Sequence, residues 1–148
     1  MAAWATLAGV GIPILATMNA GLGRALGHPA AAVLVLFTVT LTVALFGATS
    51  TGGWPSPARL AAAPSIYLAG GLFMAFYIVT VTILIPRFGV GNTILFVLVG
   101  QIFASAAIDH FGLLGAMHRP MNARRLIGLA LFLVDLVVAQ TSGGRALK

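Results

Sequence analysis

The chain has 148 residues, 60% of them hydrophobic and 7% charged, with a net charge of +6 and a mean hydropathy of +1.09. Soluble domains carry about 25% charged residues, so this composition cannot cover a water-facing surface and the bilayer is the implied solvent. Nucleic acid is excluded as a partner: the basic residues come singly or in small groups between apolar runs, with no basic face interleaved with aromatics.

Five segments have the length, or nearly the length, to cross a membrane. The first, 4–22, follows a start that lacks the basic stretch of a signal peptide and is expected to stay in the mature protein. "RALGHP" (24–29) predicts a tight turn, with Pro29 suited to the first turn of the second span, 30–48. "TSTGGWPSPARLAAAP" (49–64) reads as a longer, Pro/Gly-punctuated loop before the third span, 66–85. The short "PRFG" (86–89) leads to the fourth span, 91–108, and the basic loop "HFGLLGAMHRPMNARR" (110–125) follows it. The first four segments are free of formal charge over 18 to 20 residues. The fifth, 126–140, has 15 and is interrupted by Asp135, although Arg124 and Arg125 could extend it by snorkelling to the headgroups. The expectation is an all-α integral membrane protein, one transmembrane domain over 1–148, with a polar tail.

Five spans put the termini on opposite sides. Trp4, Trp54 and Tyr67 fall on the side of the N-terminus, side A, as an interfacial aromatic belt would. Side A carries Arg59, Arg119, Arg124 and Arg125; side B carries Arg24, Arg87, Arg145 and Lys148. Four against four gives the positive-inside rule nothing to decide. Either the spans are miscounted or the protein inserts both ways. Basic residues at helix ends are first of all topological, so they do not imply an anionic substrate.

The candidate residues lie inside the spans. On the first, Asn19 shares a face with Ala16 and Gly23, about a turn and a half beyond the break at Pro13. On the third, Gly70, Phe73, Tyr77 and Thr80 make an aromatic-hydroxyl face that could hold an amphipathic or planar solute, or simply pack a core. On the fourth, Gln101, Ser105 and Asp109 form one stripe at i, i+4, i+8, beside small residues Gly100, Ala104 and Ala107. Gln101 and Ser105 suit either the wall of a substrate path or hydrogen bonds between helices. Asp109 closes that span, and an ion pair with an arginine of the following loop is the simpler reading; a coupling role is the other. Asp135, in "LFLVDLVV", is costly at about 2.5–3.5 kcal/mol for a helix centre, so a protonated helix contact stands against a coupling role.

Catalysis finds no footing. The chain has no cysteine, and Asp109 and Asp135 are its only carboxylates, one at the membrane edge and the other about 15 Å into the next helix. No nucleophile elbow or phosphate-cradling loop stands out. His28, His110 and His118 are expected in loops without metal-ligand spacing. No cofactor or metal is expected.

Three stretches resemble one family: "MNAGLGRALGHPAAAVLVLFTVT" (18–40), "GGLFMAFYIVTVTILIPRFGVGNTILFVLVGQIFASAAIDHFG" (70–112) and "HRPMNARRLIGLALFLV" (118–134). They are similar to the short YdcZ-like inner-membrane exporters of the drug/metabolite transporter (DMT) superfamily. The resemblance implies a five-helix half-transporter in the bacterial inner membrane, pairing with an inverted second copy or a homologous subunit. It further implies export of a small metabolite or drug-like solute by alternating access of the dimer. Asp135 departs from the family pattern, which has a small or apolar residue there, and the fifth helix of a half is peripheral to the path; both weaken a coupling role. The first span has no acidic residue, unlike the related four-helix multidrug transporters, which leaves facilitated diffusion or another coupling group open. A non-transporting subunit or anchor in a larger complex is the alternative, and a passive pore the third.

Overall fold

The computed structural model describes residues 1–143, and among these it holds helices and connecting loops with no strand. Six α-helices follow one another: α1 (Ala2–Ala25), α2 (Pro29–Thr51), α3 (Pro57–Ala62), α4 (Gly70–Phe88), α5 (Val90–Phe111) and α6 (Ala123–Gly143). Two short 3-10 turns, Ser65–Ala69 and Leu113–Gly115, precede α4 and follow α5. Four helical segments among the described residues are long and apolar enough to cross a membrane: Ala2–Ala25, Pro29–Thr51, Ser65–Phe88 and Val90–Phe111. The fifth expected span is a helix, α6, longer than its apolar stretch predicted. It is not among these four. Arg145 and Lys148, counted on side B, lie outside the described residues.

The helices run past the predicted boundaries because lipid penalises every unpaired backbone group. Only a helix satisfies its own N–H and C=O groups without a neighbour. α2 shows the effect: its "TVTLTV" run alternates β-branched residues, yet Thr38, Thr40 and Thr42 each donate a hydroxyl to the carbonyl four residues back at 2.8–2.9 Å. Ser50 and Thr51 do the same near the helix end. Hydroxyls bound in this way cost little on a face turned to lipid. α2 starts as expected at Pro29, and the His28 imidazole Nδ1 caps it by accepting the Ala30 N–H at 3.1 Å. The loop 49–64 is shorter than read, because α2 continues to Thr51 and α3 fills 57–62.

The chain divides into two compact units, Met1–Val90 and Gly91 onward. In the first, α1, α2 and α4 pack against one another. Their contact is made by small residues on α1 and α2 (Ala16, Ala20, Gly23 and Ala32) against Ile78, Val81, Thr82 and Ile85 of α4, all buried. Gly23 marks the closest approach: a Cβ there would lie 3.4 Å from the Thr82 methyl, 3.5 Å from Pro29 Cα and 3.7 Å from Ala32 Cβ. Small-residue seams of this kind let membrane helices approach where no hydrophobic force drives them together. Outward faces are apolar, with Leu34, Phe46 and Phe76 about 70% exposed, as lipid requires. In the second unit, α5 and α6 are joined by the 112–122 turn.

Candidate functional site

One buried polar pair stands inside the otherwise apolar first unit. Asn19 on α1 is 4% exposed and Thr82 on α4 is 2% exposed. The Asn19 amide donates to Thr82 Oγ1 at 2.6 Å, and the Thr82 hydroxyl donates in turn to the Ile78 carbonyl at 2.7 Å. The relay gives Thr82 both an accepted and a donated bond, which its burial demands. Asn19 occupies the face with Ala16 and Gly23 that the sequence assigned it, and all three are buried. Pro13 lies inside α1 as expected, with the Thr17 hydroxyl bonded to its carbonyl at 2.7 Å.

Each member of this pair lines a separate hollow. An apolar groove of about 650 Å³ runs between α1 and α2, walled by Ile14, Met18, Leu22, Val35 and Val39, with Asn19 as its polar member. A second cavity, about 320 Å³, lies at the end of the bundle where α1 and α4 finish and α2 begins; Thr82 lines it together with Arg24 and Arg87. Each partner of the Asn19–Thr82 bond thus contributes to a different hollow.

The aromatic face expected on α4 is turned mainly outward: Phe73 is 72% exposed, and Tyr77 and Thr80 are half-buried. The Tyr77 hydroxyl is nonetheless enclosed with no hydrogen-bond partner among the described residues. The helix face that packs is instead Ile78, Val81, Thr82 and Ile85, displaced from the one the sequence selected. Thr82 was missed for that reason. The need of Asn19 for a partner pointed to a threonine on α4 but did not distinguish Thr82 from Thr80.

Gln101 and Ser105 are exposed along α5, and the Ser105 hydroxyl turns back to the Ile102 carbonyl at 2.9 Å. An inward-facing Gln101, expected from its position in an apolar run, is not found among the described residues of the second unit. Asp135 is exposed on α6 and joins no hydrogen bond or ion pair among the described residues. The stripe from Gln101 to Asp109 is real as a helix face, but among the described residues only Asp109 pairs with a side chain of another helix.

That partner is Arg125, whose guanidinium meets the Asp109 carboxylate at 2.6 Å, each side chain about one third exposed. Arg125 lies in the first turn of α6 rather than in the loop, because Asn122 starts that helix early by accepting the Arg125 N–H on its side chain at 2.9 Å. Two further bonds hold the same turn: the Arg119 N–H to the Asp109 carbonyl at 2.7 Å, and the Met121 N–H to His110 Nδ1 at 3.0 Å. His110 belongs to the last turn of α5 and not to the loop, with the His118 ring 6.5 Å away. Gly112 allows the reversal at φ +60°, and His118 fills the space a side chain there would need. Among the described residues no three His, Cys, Asp or Glu side chains gather as a metal site.

Compared with known families, the chain matches the model described as "Putative inner membrane exporter, YdcZ", a DMT family, over residues 1–138. No curated protein and no solved structure matches it.

Proposed function

From the premise that the chain belongs to the YdcZ family of inner-membrane exporters, and is thus a multi-pass protein of the cell membrane, we propose that it is one five-helix half of a DMT-type transporter. It exports a small metabolite or drug-like solute by alternating access, as an antiparallel homodimer or beside a homologous subunit. The family points to a transporter rather than to an enzyme. α6 serves as the fifth span, with Arg124 and Arg125 reaching to the headgroups.

The observation that carries this reading is the Asn19–Thr82 pair, a dry polar contact with a hollow on each side. An inert bundle gains little from such a pair, whereas a helix contact that must open and close gains a bond that can be remade. The enclosed Tyr77 hydroxyl supplies a second polar point on α4, and Phe73 and Thr80 a surface for a planar solute. Gln101 and Ser105, exposed on α5, supply a polar strip that becomes interior only when a second half covers it. Asp109 anchors the 112–122 turn, and Asp135, unpaired among the described residues, is the carboxylate left for coupling.

The chain has no cysteine, so Gln101→Cys gives a single reporter. Labelling by a water-soluble maleimide in native membranes is expected, because the dimer path holds water. Complete protection, with full labelling after denaturation, would instead favour a non-transporting subunit whose α5 is sealed against protein or lipid.

A further inference from the structure

The 320 Å³ cavity brings together two positive charges that the sequence keeps more than sixty residues apart. Arg24 stands in the last turn of α1 and Arg87 in the last turn of α4, and both line it with Gly23, Gly27, Pro29 and Thr82. The Arg24 guanidinium folds back over Gly21, 3.9 Å from where a side chain there would begin. A single arginine at a helix C-terminus needs no ligand, since it offsets the helix dipole. Two on one cavity are different.

The C-terminal ends of α1 and α4 offset part of this charge, and no carboxylate of the first unit adds to that, because the chain's two acids are Asp109 and Asp135 in the second unit, and Asp109 is held by Arg125. Thr82 has already committed its proton to the Ile78 carbonyl, so the cavity floor is not set up to donate to a neutral ligand. Recognition is left to the guanidinium forks, whose planar donors match the oxygens of phosphate. Basic pockets between membrane helices commonly take lipid phosphates, and the volume suits a headgroup-sized ligand.

We propose that the Arg24–Arg87 cavity is a phosphate-binding site, taking the phosphomonoester or phosphodiester group of an anionic lipid headgroup or of a soluble phosphate compound. This does not rest on the transport reading, and its test needs no transport. The purified full chain in detergent is treated with phenylglyoxal, alone or with inorganic phosphate, phosphatidylglycerol or phosphatidylcholine, and adducts at each arginine are counted by mass spectrometry. Modification of Arg24 and Arg87 is expected to slow at least fivefold in the presence of a phosphate ligand, while exposed Arg59 reacts at an unchanged rate. Protection by inorganic phosphate assigns the site to soluble phosphates; protection by phosphatidylglycerol alone assigns it to the lipid headgroup. Rates at Arg24 and Arg87 that no phosphate ligand slows would overturn the proposal, as would equal slowing at Arg59. Native mass spectrometry with phosphatidylglycerol gives the independent check. Arg24→Gln and Arg87→Gln should each lower lipid occupancy severalfold and Arg24→Lys much less, whereas occupancy unchanged in both glutamine variants would sink the idea.

Discussion

Asn19 and Thr82 differ in what each leaves behind when removed. In Asn19→Ala the amide disappears, but the Thr82 hydroxyl keeps its bond to the Ile78 carbonyl, so no buried polar group is stranded on α4. The loss should be that of one hydrogen bond between membrane helices, about 0.6 kcal/mol. Thr82→Val conserves shape yet leaves the buried Asn19 N–H without its acceptor, which costs about 1–3 kcal/mol. The valine variant should therefore unfold at the lower temperature of the two in detergent. A reversed order would mean that the Asn19 amide has another acceptor and that Thr82 is incidental to it. Sequence reasoning could find Asn19, because a polar amide in an apolar helix beside small residues is conspicuous. It could not choose Thr82 over Thr80, because both threonines satisfy a helical periodicity and only the packing of α4 on α1 and α2 separates them.

Packing of the helices rests on what their small residues allow. Gly23→Ala would place a methyl at ordinary contact with Thr82, Pro29 and Ala32, whereas Gly23→Leu has no room at the α1–α2–α4 junction. The leucine variant is expected to lose about 1–3 kcal/mol through overpacking, read as a lower Tm, with the alanine variant near wild type. In the second unit, Asp109→Asn weakens a pair that is partly open to solvent, so global stability should change by less than about 1 kcal/mol. Hydrogen exchange should report it locally, with faster exchange at the Arg119 and Met121 amides that close the same turn. Unchanged protection there would show that the turn is held by those two bonds alone. Helix positions were legible because hydrophobic length is dictated by the bilayer, and so was the start of α2 at Pro29, but the start of α6 was not, because capping by Asn122 depends on local geometry. α3 escaped notice since six residues carry too little periodicity. The outward aspect of Gln101 could not be read, because a polar residue in an apolar run announces a partner surface without saying whose.

Whether α6 spans the membrane decides two properties at once. If it does, Arg145 and Lys148 fall on side B, four basic residues face four, and nothing fixes the orientation. If it lies at the interface, those two residues join Arg59, Arg119, Arg124 and Arg125 on side A, and six against two makes side A cytoplasmic. Single cysteines at Met117 and Val90 flank α5, one of the helices apolar enough to cross by itself, so they report on opposite sides whatever α6 does. Labelling of intact cells with an impermeant maleimide, scaled to permeabilised cells, then separates the cases. Dual insertion predicts each position labelled in roughly half of the molecules, the pattern an antiparallel homodimer requires. Labelling of Val90→Cys alone means one orientation with side A inside, the outcome that the six-against-two count predicts, and an inverted partner that must be a different chain. Labelling of Met117→Cys alone contradicts both charge counts, and would show that orientation is imposed by something other than the basic residues of this chain.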